Sequence, residues 1–110
     1  MEFVEAGNLE GRDLQVFLEQ LLKPYENQNL DSVVLGCTHY PFARRMIQQI
    51  LGENIAIFDG GNGTAREMKR RLIAADLKNP SREKGTVIFE NSYATEEEIA
   101  LCRHLLEADV

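Results

Sequence analysis

The apolar residues of this chain fall into two kinds of pattern that alternate along its length. Between about Arg12 and Asn27 they recur every three or four positions, which is the spacing of one helical face. This stripe consists of Leu14, Phe17, Leu18, Leu21, Leu22 and Tyr25. Leu30 to Leu35 is instead a short run, β-branched in its middle and bounded by turn residues, which is typical of a buried strand. We therefore predict a helix that kinks or frays near Pro24, followed by a strand.

The same alternation returns after Pro41, a residue favoured at the first position of a helix. The second stripe ends at Gly52 and consists of Phe42, Met46, Ile47, Ile50 and Leu51. Ile55 to Phe58 then reads as a second buried strand, and a glycine-rich turn follows at 59–63. Thr64 and Glu67 have the spacing of a capping box, so we predict that a third helix begins at Thr64. Its apolar face carries Met68, Leu72 and Ile73.

The last third of the chain repeats the pattern once more. Lys78 to Gly85 is polar and reads as an exposed connection, and Thr86 to Phe89 reads as a third strand. A capping box at Thr95 and Glu98 predicts a final helix, with Ile99, Cys102, Leu105 and Leu106 on one side. Strands that alternate with helices predict an α/β fold, in which a parallel sheet of three to four strands is flanked by helices. A sheet that small is expected to keep an unpaired edge.

Composition limits the classes of partner. The 110 residues are 44% hydrophobic and 27% charged, which suits one small globular domain. The net charge of −6 and scattered basic residues argue against nucleic acid, which needs clustered Lys and Arg. No apolar run reaches the roughly 18 residues that span a membrane, and the acidic N-terminus is unlike a signal peptide. We expect a cytoplasmic protein whose two cysteines are free thiols, with no metal site, because the spacing of its cysteines and histidines is not that of zinc ligands.

The candidate chemistry lies in the octet Val34 to Pro41, where the first strand passes into the second helix. Cys37, Thr38 and His39 follow Gly36 on this turn, and the carboxyl ends of strands are where ligands bind in open α/β sheets. A thiol beside an imidazole or a helix N-terminus can become a base or a nucleophile. The alternative is a buried cysteine with Thr38 and His39 as turn and cap residues. From the residues alone, both interpretations stay open.

The octet resembles the C-terminal catalytic signature of the glutamate racemases. Two further segments match the same family: residues 3–7, where Glu5 precedes Cys37 by 32 positions as the family's acidic residue does, and residues 57–67, with an Asp-x-Gly turn before Thr-Ala-Arg. The resemblance therefore extends over essentially the whole chain. The related aspartate racemases carry an acidic residue at the position of His39, so His39 favours glutamate over aspartate.

The resemblance implies a cofactor-independent racemase that interconverts L- and D-glutamate, the latter for the bacterial cell wall. Two cysteines face opposite sides of the substrate Cα; one removes the proton and the other returns it. Carried over by position, Cys37 is one acid/base, His39 tunes or protonates it, and Glu5 assists from the facing segment. Thr38 binds the substrate carboxylate or ammonium.

The chain departs from the family on the other side of the site. The N-terminal Asp-Ser and Asn-Thr-Ala motifs, the latter with the second catalytic cysteine, are absent from these 110 residues. Cys102 is no substitute, since it lies on an apolar helical stripe and reads as a core residue. We therefore expect a C-terminal part, with residues 1–59 as the catalytic portion and 60–110 as a crossover segment that packs on the absent domain. Exposed apolar surface, or a homodimer that covers it, follows.

Two other interpretations remain. The chain could be an inactive α/β binding or interaction module that keeps half of an amino-acid site. The second is nucleotide binding at the glycine-rich turn at 59–63. This turn resembles a phosphate loop only superficially, because it lacks the Gly-Lys-Ser/Thr of a P-loop and the dinucleotide fingerprint.

Two features of the last helix have ordinary structural explanations. His104 reads as a surface residue, and the acidic residues at the start of the helix suit the helix dipole.

Overall fold

The computed structural model describes residues 2–93 and 95–108. A short helix α1 (Glu2–Glu5) precedes α2 (Arg12–Leu22), which continues as a 3₁₀ turn at Lys23–Tyr25. Strand β1 (Ser32–Leu35) leads through a 3₁₀ turn at Tyr40–Ala43 into α3 (Arg44–Leu51). Strand β2 (Ala56–Asp59), α4 (Gly61–Ala74) and α5 (Glu96–Glu107) complete the order. The fraying predicted at Pro24 is confirmed, because the α-helix gives way to the 3₁₀ turn there.

The two strands form a parallel pair whose register runs from Ser32 opposite Ala56 to Leu35 opposite Asp59. Side chains alternate between the two faces of such a pair. Leu35 and Ile57 point to one face and join a buried cluster with residues of α2, the 3₁₀ turn before α3, and α3 itself: Leu14, Leu18, Ala43, Met46 and Ile47. The predicted α/β class with a parallel sheet is confirmed, and the core lies between this face of the sheet and the two helices.

In the described residues, the opposite face of the sheet is largely exposed. Val34 and Phe58 are paired in the register, and 74% and 57% of their surfaces are exposed. Helix α4 has no buried residue, and its apolar side chains Met68, Leu72 and Ile73 are exposed as well. The Cα radius of gyration is 17.4 Å, against about 13 Å for a compact domain of this size. The exposed apolar surface expected from the sequence is therefore present.

The predicted third strand at Thr86 to Phe89 is wrong: in the described residues the sheet has two strands, and this segment is irregular, with Val87 and Ile88 exposed. An apolar run specifies a strand only where a neighbouring strand edge accepts its backbone hydrogen bonds. No described strand pairs with residues 86–89, so the pattern alone does not produce a strand.

The two predicted capping boxes have different outcomes. Helix α4 begins at Gly61, three residues before Thr64, and the Gly61 amide donates to the Asp59 carboxylate at 2.8 Å, so the box predicted at Thr64 is wrong. Asp59 satisfies the first turn instead. At α5, the Glu98 amide donates to Thr95 Oγ1 at 3.2 Å, so the side-chain cap predicted there is confirmed.

Candidate active site

The turn after β1 holds three reactive side chains in a small volume. The strand ends at buried Leu35, Gly36 is exposed, and Cys37 to His39 form bends that lead into the 3₁₀ turn at Tyr40–Ala43. Pro41 lies in the first turn of that 3₁₀ segment, where its missing N–H costs no hydrogen bond. The predicted strand-to-helix turn is therefore confirmed, with a 3₁₀ entry into α3.

His39 is in contact with both of the other reactive side chains of the turn. Its Nδ1 lies 3.8 Å from Cys37 Sγ and 3.5 Å from Thr38 Oγ1. Cys37 is partly buried, and its sulfur carries no disulfide. The same ring nitrogen can therefore exchange a proton with the thiol or hold the hydroxyl in place.

Glu5 reaches the opposite side of the imidazole ring. Its Oε1 lies 3.4 Å from His39 Nε2, and the side chains of His39 and Glu5 are 29% and 59% exposed. Glu5 ends α1, which is anchored through its neighbour Val4, a buried residue. A carboxylate that faces Nε2 favours the tautomer with its proton on that nitrogen. In that tautomer Nδ1 can accept a hydrogen bond from the Cys37 thiol or from the nearer Thr38 hydroxyl.

This order of groups, carboxylate to imidazole to thiol, is one that can transfer a proton. In such an arrangement a carboxylate orients the ring and stabilises the imidazolium form that arises when the imidazole takes a thiol proton. The separations are longer than those of a tight hydrogen bond, as catalytic contacts often are in active sites without substrate. Within the described residues, the arrangement brings together the three acid/base candidates predicted from the sequence, Cys37, His39 and Glu5.

An open groove of about 730 Å³ lies beside the thiol, a size typical of sites for small molecules. Cys37, Thr38 and Pro41 line it from the turn after β1. The turn after β2 and the start of α4 contribute Gly60, Gly61, Thr64, Ala65 and Met68. Thr38 therefore lies where a bound substrate could reach its hydroxyl. The glycine-rich turn forms part of the lining without any phosphate-binding signature.

One contact between the start of α3 and the end of β2 was not predicted from the sequence. Arg44 Nη1 donates to Asp59 Oδ2 at 2.8 Å, and Arg44 Nη2 donates to the Ile57 carbonyl at 2.6 Å. These residues are 13 and 15 positions apart. A basic residue at a helix start, followed by an acidic residue at the end of the next strand, is the only signal that the sequence offers for this pair.

The remaining chemical candidates lie elsewhere. Cys102 is half-buried on α5, which has no buried residue, so its predicted place in the core is not realised in the described residues. His104 is exposed, as predicted, and lines a separate cavity of about 510 Å³ with the 7–11 loop, Phe42 and Arg45.

In the described part of the chain, no cluster of three metal-ligating side chains occurs. No helix there has the length and apolar character needed to cross a membrane.

Known proteins similar to this chain are glutamate racemases. No protein-family model matches the chain. The glutamate racemases of Clostridium perfringens strain ATCC 13124 and Clostridium botulinum strain Alaska E43 are 45% and 40% identical to it over 107 and 108 residues. These matches cover 97% and 98% of the chain but only 41% and 42% of the relatives.

The fold leads to the same family. The structure of glutamate racemase from Thermus thermophilus, solved with β-chloro-D-alanine, superposes with a TM-score of 0.74 and 29% identity. That superposition covers 99% of this chain and 41% of the Thermus chain. The chain thus spans about two fifths of the length of the relatives it matches. By sequence and by fold, the chain is homologous to part of the glutamate racemases.

Proposed function

We propose that this chain supplies one acid/base half of a glutamate racemase active site. The observation that carries the proposal is the contact of one imidazole with Cys37 Sγ at 3.8 Å and with Glu5 Oε1 at 3.4 Å. Homology to glutamate racemases over 97% of the chain supports glutamate as the substrate. The product, D-glutamate, would serve peptidoglycan synthesis. The reaction needs no cofactor, because the protein groups carry the proton.

The proton balance assigns a role to each group. Nδ1 of His39 takes the proton of Cys37, and the thiolate then removes the Cα proton of glutamate, which leaves a carbanion-like centre. A second acid on the opposite face returns a proton to Cα, so the configuration inverts and the number of protons is conserved. The Cα–H is far less acidic than a thiol, so the site must stabilise the developing charge. Thr38 would bind the substrate carboxylate or ammonium from the wall of the groove.

The second acid must come from outside these residues. The sequence contains two cysteines, and Cys102 is not among the described residues that line the groove. The relatives are more than twice as long as the part that matches. We propose that residues 1–59 form the catalytic portion and that residues from 60 onward pack on an N-terminal racemase domain, or on a second copy of the chain. Either partner would cover Val34, Phe58 and the apolar side of α4.

One observation favours a second candidate function, an inactive binding module. With a single thiol at an open groove, the chain could hold an acidic amino acid and still be unable to invert it. Aspartate is the weaker substrate candidate, because the related aspartate racemases carry an acidic residue at the position of His39.

Incubation with L-glutamate in heavy water separates these functions. The chain alone should leave the optical rotation unchanged. Mixed with the N-terminal part of the Clostridium perfringens relative, it should produce D-glutamate that carries deuterium at Cα. Cys37→Ser should abolish both signals, and Cys102→Ser serves as the matched control that retains them.

Two outcomes would change the conclusion. A stable complex with the N-terminal part that binds glutamate without racemising it would favour the binding module. Deuterium at Cα with the chain alone, lost in Cys37→Ser, would overturn the prediction that the isolated chain is inactive.

A further inference from the structure

We propose that Arg44 is a positioning residue for the turn at residues 36–43, which we call the catalytic turn. Arg44 binds the start of α3 to the end of β2 and thereby holds Cys37 and His39 in contact. This proposal rests on the proposed acid/base role of Cys37. Arg44 itself does not line the groove, and it acts through the backbone that carries the reactive residues.

The guanidinium joins two elements and reaches a third through Asp59. One nitrogen donates to Asp59 Oδ2 and another to the Ile57 carbonyl. The second carboxylate oxygen of Asp59 accepts the Gly61 amide at 2.8 Å, which begins α4. The ion pair is shielded, with Arg44 34% and Asp59 18% exposed. A shielded pair with both carboxylate oxygens engaged restricts movement more than an exposed surface pair does.

The catalytic turn is consequently held at both ends on the same short strand. At its beginning, Leu35 is paired with Asp59 in the sheet register. At its end, Arg44 binds Asp59 and Ile57. The residues between these anchors include Cys37 and His39. With one anchor removed, the turn could pivot about Leu35, and the contact between Sγ and Nδ1 would no longer be held.

Position and chemistry both point to a role for arginine at this site. A cation in the first turn of a helix faces the positive end of the helix dipole, so α3 alone disfavours Arg44 there. The Ala56 amide donates to the Asp31 carbonyl at 2.9 Å on the β1 side, so the backbone of Ile57 faces the outer edge of β2. The planar guanidinium of Arg44 can donate to the Ile57 carbonyl and to the Asp59 carboxylate at the same time, whereas a lysine ammonium is a single point charge.

The test is a double-mutant cycle on the alkylation of Cys37 by iodoacetamide, followed by peptide mass spectrometry of the intact chain. Cys102 in the same molecule is the internal reference. In the otherwise unchanged chain, His39→Gln should lower the Cys37 rate about tenfold, because the thiol loses its base. In the Arg44→Gln background, His39→Gln should have less than about a twofold effect. If Arg44→Gln only made Cys37 more accessible to the reagent, the alkylation rate of Cys37 would rise and His39→Gln would still lower that rate about tenfold.

Three further variants keep the test decisive. Asp59→Asn should behave like Arg44→Gln, and Arg44→Lys should restore part of the His39 effect. Arg70→Gln, which removes an exposed arginine–glutamate pair on α4, is the matched control and should leave the His39 effect on Cys37 alkylation unchanged. Thermal unfolding followed by circular dichroism identifies any variant that fails to fold. An undiminished His39 effect in the folded Arg44 and Asp59 variants would overturn the proposal.

A separate readout distinguishes this proposal from the proposed function. With the N-terminal part of the relative present, Arg44→Gln should lower kcat for racemisation by about tenfold or more, with a smaller change in KM. If the unsubstituted complex does not racemise glutamate, the proposed function fails, and the alkylation cycle still decides the role of Arg44.

Discussion

Two neighbouring residues of β2, Ile57 and Phe58, provide the sharpest test of the exposed sheet face. They point to opposite faces of the same strand, and their surfaces are 5% and 57% exposed. Ile57→Ala and Phe58→Ala remove large side chains from adjacent positions of one backbone. Any difference in their effect therefore reports the packing on each face.

The expected magnitudes follow from these exposures. Ile57→Ala leaves a cavity in the buried cluster and should cost about 2–5 kcal/mol in the free energy of unfolding. Phe58 has lost less than half of its surface to burial, and full burial of such a side chain is worth about 1.5–3 kcal/mol. Phe58→Ala should therefore cost about 1 kcal/mol. A domain of this size has about 5–15 kcal/mol in total, so the first substitution threatens folding and the second does not.

Urea unfolding followed by circular dichroism measures both values, at two protein concentrations at least tenfold apart. The Phe58→Ala chain should also bind less of a dye specific for apolar surface than the unsubstituted chain. When the N-terminal part of a relative is added, Phe58→Ala should weaken its binding, since the proposed partner buries this face.

The reasoning is refuted if Phe58→Ala costs as much as Ile57→Ala at both concentrations, because the face would then be covered within a single chain. If the free energy of unfolding lost in Phe58→Ala is larger at the higher protein concentration, a second copy of the chain covers this face, as in the proposed homodimer.

Three further predictions concern the site and the helices. Glu5→Gln removes the carboxylate that orients the imidazole, so alkylation of Cys37 should slow by a few-fold, whereas Glu2→Gln on the same helix should have no effect. Thr95→Ala should cost about 1 kcal/mol of stability and reduce the helical signal of α5, because the Glu98 amide loses its acceptor. Arg70 and Arg71 in the next turn lower the pKa of Glu67 to about 2, so the support that Glu67 gives α4 should be complete above about pH 4.5 and be lost progressively as the pH falls toward about 2. A helical signal in Glu67→Gln that still shows this acid-dependent loss would contradict the last prediction.

Patterns local to one segment of the sequence predict its structure correctly. The stripes that begin at Leu14 and Phe42 became α2 and α3, and the side-chain cap at Thr95 formed as predicted. The reactive turn after Leu35 also lies where the pattern placed it. Helix periodicity, capping and turn chemistry depend on residues a few positions apart, so one sequence is enough to predict them.

The tertiary structure decided what depends on distant partners. Residues 86–89 have the composition of a strand, yet no described strand edge accepts them. Thr64 has the spacing of a cap, yet Asp59 reaches the helix start first because β2 delivers it there. Both predictions are wrong because each depends on a hydrogen bond whose partner is set by the path of the chain.

The turn after β1 shows the same division. Cys37, Thr38 and His39 are adjacent in the sequence, so their proximity was predictable, and family resemblance pointed to Glu5. Only the folded chain brings Glu5 to the far nitrogen of the imidazole and Arg44 to Asp59, since those contacts depend on how α1, α3 and β2 pack. The sequence by itself determined the reactive groups and their local turn, whereas the tertiary structure decided their orientation, their anchoring and the exposed face beside them.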